Sequence, residues 1–136
     1  MISPTLDSLR IFLHILAASV WVGGQIVLGG LVPSVRKSNP EALKSIANAF
    51  GRVAWPAFGI TVVTGMWNLL SVDVTAMDSS YHVTLGVKIV VVMLAGFAAA
   101  AHANSKSKLV LALGGAIGLV ASLGALYLGV LLGAAS

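Results

Sequence analysis

The sequence contains little charge and no cysteine. Lysine and arginine together number 8, aspartate and glutamate number 4, and charged residues make up only 9% of the 136 residues. A soluble domain needs a charged surface, and typically about 25% of its residues are charged. This shortage excludes a soluble enzyme, a disordered tail and a nucleic-acid-binding module. The absence of cysteine excludes disulfides, iron–sulfur clusters and thiol chemistry.

What is present is mostly apolar, since hydrophobic residues make up 58% of the chain. Continuous apolar runs cover about residues 9–35, 53–72, 81–103 and 109–135. Each is long enough to cross a lipid bilayer as a helix, which takes roughly 20 residues, and none shows the two-residue alternation of barrel strands. The short links between the runs predict a single all-α domain over residues 1–136, an up-down four-helix bundle. A turn at residues 39–41 predicts a short interfacial helix that ends near Phe50.

Basic residues are concentrated in the first and third links of this predicted bundle. The second link carries two acids, Asp73 and Asp78, and no base. By the positive-inside rule, the first and third links lie in the cytoplasm, and the second link and both termini lie outside. Residues 1–10 lack the basic start of a secretory signal, so the first run is expected to remain as a span. The basic residues are Arg36, Lys37, Lys44, Arg52, Lys106 and Lys108.

Two further features concern packing and anchoring. Small residues recur every four positions in the last span, a spacing that lets helices approach closely. Ordinary packing within the bundle is the favoured interpretation of these small residues, and a homodimer seam or a docking face for a larger membrane complex is the alternative. The small residues of the last span are Gly114, Gly118, Ala121, Ser122, Ala125, Gly129 and Gly133.

Trp55-Pro56 is expected in the first turn of the second span, and Trp55 and Trp67 are expected at the two membrane interfaces.

Three titratable side chains inside the predicted spans are singled out, His14, Lys88 and His102. Such groups are costly in lipid and are therefore functional candidates. His14 shares one helix face with Trp21 and Gln25, and this face is expected to turn away from lipid. Lys88 lies at a similar depth in the third span. It either extends along its own stem to the outer interface or holds a carboxylate or a propionate.

Met66 and His82 are expected near the depth of His14, on two other helices. Imidazole and thioether groups suit copper, so His14, Met66 and His82 are the candidate metal ligands. Histidine is also an axial ligand of haem iron, which leaves haem b as the alternative cofactor, with His14, Trp21 and Lys88 as its binding residues. Ordinary packing of Met66 and a surface position for His82 are the simpler interpretations.

Catalytic machinery is not recognisable in the chain. The spans contain no carboxylate, and no nucleophile is paired with a base, so no catalytic residue is assigned and an enzyme is not expected. His102, at the inner end of the third span, is expected to be interfacial and partly hydrated.

The stretch from Leu13 to Gly24 resembles the first span of the copper-resistance D (CopD) family, with its pattern His-x6-Trp-x-Gly-Gly. The stretch from Arg52 to Leu70, with Thr64-Gly65-Met66-Trp67-Asn68 near its end, looks like the second span of that family with its Thr-Gly turn. Gly86-Val87-Lys88 and the long apolar run after it are similar to the third span. This resemblance implies a multi-pass protein of the bacterial inner membrane that handles copper at an outer-leaflet site centred on His14.

The set of His14, Trp21, Lys88 and His102 is also similar to HemJ-type membrane protoporphyrinogen oxidases. That resemblance implies a haem-binding four-helix protein in which the histidine and the lysine serve haem or porphyrin, in electron transfer or porphyrin oxidation. A third hypothesis is a non-catalytic accessory subunit that packs in the bilayer against a larger membrane complex. The sequence leaves these alternatives open.

Overall fold

The computed structural model describes the whole chain, Met1–Ser136, as an all-α protein that is 88% helical. Its helices are α1 (Leu6–Ser38), α2 (Ala42–Leu70), α3 (Ser79–Asn104) and α4 (Lys108–Ala135), with one turn of 3-10 helix at Val74–Ala76. All four α-helices are long and apolar enough to cross a membrane. The prediction of an all-α chain with four helices that are long and apolar enough to span a membrane is confirmed.

The helices extend beyond the apolar runs that predicted them. With 33 residues, α1 is about 50 Å long, whereas the hydrocarbon core of a bilayer is about 30 Å thick. It continues through Pro33, which was expected in the link, to Ser38. Its last turn carries Arg36 and Lys37, which interact favourably with the negative end of the helix dipole. Only residues 39–41 remain as a link.

The expected interfacial helix ending near Phe50 is wrong, because those residues form the first turns of α2. Gly51 does not end the helix, since a single glycine costs only about 1 kcal/mol in a helix. Pro56, expected in a first turn, therefore lies inside α2. Proline has no N–H, so the helix loses the hydrogen bond to the carbonyl of Arg52, four residues earlier.

Residues 1–72 form one compact unit, a hairpin in which α1 packs against α2. Trp21 is at its centre, 5% exposed, with its ring 4.6 Å from that of Phe58 and 5.5 Å from that of Trp55. A Cβ at Gly24 would lie 2.7 Å from Phe50, so this glycine makes room for an aromatic ring. Trp55 is thus part of the hairpin's aromatic cluster, and its position at a membrane interface stays a prediction.

Residues 73–136 form the second compact unit, in which α3 packs against α4. The two backbones are close at Gly114, where a Cβ would lie 2.9 Å from the carbonyl oxygen of Ala98. At Gly118 it would lie 3.6 Å from the backbone nitrogen of Ala99. These two glycines therefore serve packing within the hairpin, the favoured interpretation. A homodimer seam or docking face on α4, and the assembly of both hairpins into one bundle, stay predictions.

The side chains that point outward from both hairpins are largely apolar. Val90, Phe97 and Val120 are 65%, 70% and 68% exposed, respectively. Contiguous exposed apolar surface of this kind is unusual for a soluble monomer and is the normal surface of a helix in lipid. The packing of the helices thus supports the membrane assignment made from their length.

The link before α3 is built by two aspartates that cap the backbone. The carboxylate of Asp73 accepts hydrogen bonds from the hydroxyl of Thr75, at 2.6 Å, and from its backbone N–H. The carboxylate of Asp78 accepts from the backbone N–H of Tyr81, at 2.9 Å, and from the hydroxyl of Ser80. These hydrogen bonds favour the charged carboxylates and hold the pKa of both groups below the usual 3.8.

Candidate functional site

His14 lies on the side of α1 that faces α2. Its Nδ1 is 2.8 Å from the hydroxyl oxygen of Thr64, a residue only 4% exposed. The ring also lies against Gly65, where a Cβ would be 3.3 Å from Cε1. Ala17 and Trp21, one and two turns further along the same face, are each 5% exposed. The imidazole therefore points into the hairpin, as the sequence predicts.

The hydroxyl of Thr64 determines which nitrogen of His14 carries a proton. This hydroxyl lies 2.6 Å from the carbonyl oxygen of Ile60, to which it donates its one hydrogen. Toward His14 it can only accept, so Nδ1 must be the donor. In the neutral imidazole the lone pair is then on Nε2. Ligating histidines in metal sites are typically held this way, with one nitrogen donating to an oxygen and the other nitrogen bound to the metal.

Trp21 and Gln25 continue the predicted stripe along α1. The side-chain amide of Gln25 donates to the carbonyl of Trp21 at 3.1 Å. Trp21 makes the aromatic contacts with Phe58 and Trp55 that hold the middle of the hairpin together. Both residues thus lie on the face of His14. A direct cofactor contact by Trp21 stays a prediction.

Arg10 extends this face by one turn toward the N-terminus of α1 and is not among the residues that the sequence singles out. It is 7% exposed, and its Nη2 lies 3.1 Å from the carboxylate of Asp7. Its Nη1 lies 3.5 Å from the carbonyl oxygen of Trp67, while Nε is buried without a hydrogen-bond partner. The side-chain oxygen of Asn68 is also buried without a partner. The spacing of four residues between Arg10 and His14 is the signal that could have found it.

Met66, a predicted metal ligand, does not lie next to His14 in the first hairpin. It is 60% exposed and lies two residues beyond Thr64, about 200° around the helix. Because Thr64 faces His14, Met66 faces away from it. His82 is exposed at the start of α3, with its ring 6.5 Å from that of Tyr81. No group of three or more histidine, aspartate or glutamate side chains could hold a metal ion.

Lys88 is half-buried in α3 and reaches the backbone of α4. A Cβ at Gly129 would lie 3.0 Å from its Nζ and 3.6 Å from its Cε, so the glycine leaves the space that the ammonium occupies. Neither α3 nor α4 contains an acidic residue that could pair with it. The role of Lys88 in holding a carboxylate or a propionate stays a prediction.

His102 ties the end of α3 to the start of α4. Its Nδ1 donates to the carbonyl of Leu111 at 2.6 Å, since a carbonyl can only accept. The ring packs on Gly115, where a Cβ would lie 3.1 Å from Nδ1. This side chain is otherwise exposed at the end of its helix. The contacts give His102 a structural role in the hairpin.

No family model, curated protein or solved structure matches the chain. The resemblances to the CopD family and to the HemJ-type oxidases therefore stay expectations from the residues that suggest them. The function is inferred from the side chains of the two hairpins.

Proposed function

We propose that the protein binds haem b within the membrane, where His14 would hold the haem iron, and that it takes part in electron transfer. The observation that carries this proposal is the hydrogen bond from Nδ1 of His14 to the hydroxyl of Thr64. It leaves Nε2 as the basic nitrogen of a ring whose orientation is set by protein contacts.

The number of donors favours haem over copper. A porphyrin supplies four nitrogen ligands itself, so one protein histidine is enough to attach the iron. A copper ion has no such ligands and depends on several protein donors. The first hairpin offers His14, whereas Met66 lies on the opposite side of α2. Copper bound by His14, Met66 and His82 stays a prediction without a supporting contact.

The residues around His14 suit a flat, apolar cofactor. Ala17 and Gly65 are small, and the rings of Trp21 and Phe58 lie deeper in the same hairpin. A bound haem would supply one-electron chemistry at its iron. The chain itself keeps the proton on Nδ1 through Thr64, which raises the basicity of Nε2 as a ligand.

We also propose that the chain lies in a bacterial plasma membrane, with both termini and the link before α3 outside. The support is the distribution of charge. Lys106 lies in the third link, and five more basic residues lie within about three helical turns of the first or third link: Arg36, Lys37, Lys44, Arg52 and Lys108. The second link carries only the acids Asp73 and Asp78. The same orientation puts His14, near the start of α1, in the outer half of the membrane.

Titration of the detergent-purified protein with haem b tests this function. The wild type is expected to bind one haem with a Soret band, and His14→Ala to bind at least about 100-fold more weakly, a loss of about 3 kcal/mol. His82→Ala is the matched control and should bind like the wild type. Each preparation is also loaded with Cu(I) and analysed for metal.

Two results would overturn the haem proposal. One is a wild type that does not bind haem but retains copper, with copper lost in His14→Ala and in Met66→Leu; that would establish the copper site. The other is a wild type that binds neither, which would favour the accessory-subunit hypothesis.

A further inference from the structure

The outer end of the first hairpin contains a buried arginine, Arg10, that has no part in the proposed binding of iron by His14. Arg10 is 7% exposed, although its ion-pair partner Asp7 is 76% exposed. A guanidinium has five N–H donors in a planar fork. One nitrogen faces Asp7, another lies at 3.5 Å from a backbone carbonyl, and the buried Nε–H has no partner. Burying an arginine in this state costs free energy, which a bound anion would offset.

Asn68 follows, on α2, the residue whose carbonyl this guanidinium contacts. Arg10 contacts the carbonyl of Trp67, the residue before it, and the side-chain oxygen of Asn68 is buried without a partner. Rotation of the amide exchanges its oxygen and its NH2 group, so Asn68 can present a donor at the same place. Each of the two residues therefore has one buried polar position without a protein partner, Nε of Arg10 and the side-chain oxygen position of Asn68.

This pair of residues is in register with the His14 site. Arg10 and His14 are four residues apart on α1, and Thr64 and Asn68 are four residues apart on α2. Four residues correspond to about 6 Å along a helix and return to nearly the same face. The layer of Arg10 and Asn68 thus lies one turn outward from the layer of His14 and Thr64.

We infer that Arg10 and Asn68 form a carboxylate-binding subsite for the ligand that His14 holds, which for haem b means one propionate. The inference rests on the proposed function and adds the orientation of the cofactor, with its propionate edge toward the outer end of the hairpin. Planar guanidinium groups match carboxylates in geometry and charge. Asp7 competes for this guanidinium but does not exclude a second carboxylate, because its side of the ion pair is largely exposed.

Comparison of haem b with its dimethyl ester tests the subsite, because the ester keeps the ring and the iron but has no carboxylate. Both probes are titrated into the purified protein in phospholipid-free detergent, and the dissociation constants are measured from the Soret band. The wild type should bind haem b at least about tenfold more tightly than the ester, as expected for one charge-assisted hydrogen bond. Arg10→Met should bind both probes equally, at the affinity of the ester.

Two variants sharpen the comparison. Asp7→Asn removes the competing carboxylate and should increase the preference for haem b. Arg52→Met, a change at an exposed arginine of α2, is the matched control and should keep the wild-type preference. If circular dichroism shows that Arg10→Met has lost its helices, Asp7→Asn decides the question, since an unchanged preference in that variant contradicts the subsite.

The failures of the two proposals are distinguishable. If the wild type binds haem b and the ester equally, or if folded Arg10→Met keeps the preference, the subsite is refuted while haem binding at His14 stands. If the preference appears only without added phospholipid, and anionic phospholipid removes it without releasing haem, a lipid phosphate occupies the Arg10 layer and the propionate assignment is refuted. If the wild type binds neither probe, the proposed function itself fails.

Discussion

At the scale of single residues, the hydroxyl of Thr64 links the backbone of α2 to the chemistry of His14. It donates to the carbonyl of Ile60 on its own helix, as threonines in helices often do, and therefore accepts from the histidine. The side chain thereby sets both the proton position and the direction of the ring. A valine has nearly the same shape but cannot accept a hydrogen bond.

Thr64→Val is therefore expected to weaken haem binding by about 10- to 100-fold, the range found for outer-shell partners of ligating histidines. Thr64→Ser should bind like the wild type. Thr61→Val, which removes a hydroxyl bonded only to its own helix through Ala57, is the control. The measurement is a haem titration at constant detergent. Wild-type affinity in Thr64→Val would show that the hydrogen bond does not support a ligand.

The residues of the site differ in how far the sequence reveals them. His14 is predictable because a titratable group inside an apolar run is costly in lipid unless it faces a partner or a ligand. Thr64 is not predictable in this way, because the hydroxyl of a threonine in a membrane span usually hydrogen-bonds to a carbonyl of its own helix. Only the packing of α2 on α1 brings this hydroxyl to the imidazole. Arg10 is near the expected end of the span, where a charge is ordinary, so only its spacing of four residues from His14 points to it.

At the scale of helices, apolar runs predict where the chain can be in lipid but not where each helix ends. Outside the hydrocarbon core, water and headgroups tolerate charged side chains on an intact helix. For this reason α1 and α2 extend to a link of only three residues, 39–41. The small residues of α4 do not by themselves predict which helix packs against them. In the structure α3 packs against α4 at Gly114 and Gly118.

Gly114→Ala should destabilise the second hairpin. The added Cβ would lie 2.9 Å from the carbonyl oxygen of Ala98 and 3.1 Å from the backbone nitrogen of His102, and backbone atoms cannot easily move aside. We expect a loss of about 1–3 kcal/mol in the free energy of unfolding, measured by denaturant titration in mixed micelles. Gly133→Ala, with no atom within 4 Å of its Cβ, is the control and should be neutral or slightly stabilising. Equal effects of the two changes would contradict the close approach of α3 and α4.

The start of α3 should loosen in acid because of Asp78. Hydrogen bonds from Tyr81 and Ser80 hold the pKa of its carboxyl below 3.8 in the folded state. A lowered folded pKa means that the cap contributes fully above the ordinary pKa and is lost as the pH falls through the folded value. Hydrogen exchange of the Tyr81 amide should therefore accelerate below about pH 3.8, beyond its intrinsic dependence. In Asp78→Asn, whose amide does not titrate, this acid-induced acceleration of exchange should be absent. If the acceleration persists in Asp78→Asn, the carboxylate of Asp78 is not its cause.

At the scale of the whole molecule, the chain consists of two helical hairpins, residues 1–72 and 73–136, and its charges suggest one orientation in the membrane. Each hairpin has a polar side chain of its first helix lying against a glycine of its second, His14 at Gly65 and Lys88 at Gly129. Polar groups are thus kept inside the hairpins while apolar groups face outward. This distribution suits a protein whose solvent is lipid.

Because the chain has no cysteine, single cysteines can report its orientation directly. A membrane-impermeant maleimide applied to intact spheroplasts should label Thr75→Cys in the second link. Ser38→Cys and Ser105→Cys, next to or in the first and third links, should react only after permeabilisation. The reverse pattern would show that the termini lie in the cytoplasm and would move His14 to the inner half of the membrane.

Rescue of His14→Gly by free imidazole tests the central claim, that the ring of His14 is a ligand, most directly. The change removes the ring and leaves the helix and Thr64 in place. We predict that the purified variant fails to bind haem b, and that imidazole restores the wild-type Soret band, whereas Thr64→Val in the same background makes this rescue need more imidazole. A His14→Gly variant that binds haem b as tightly as the wild type without imidazole would contradict the claim.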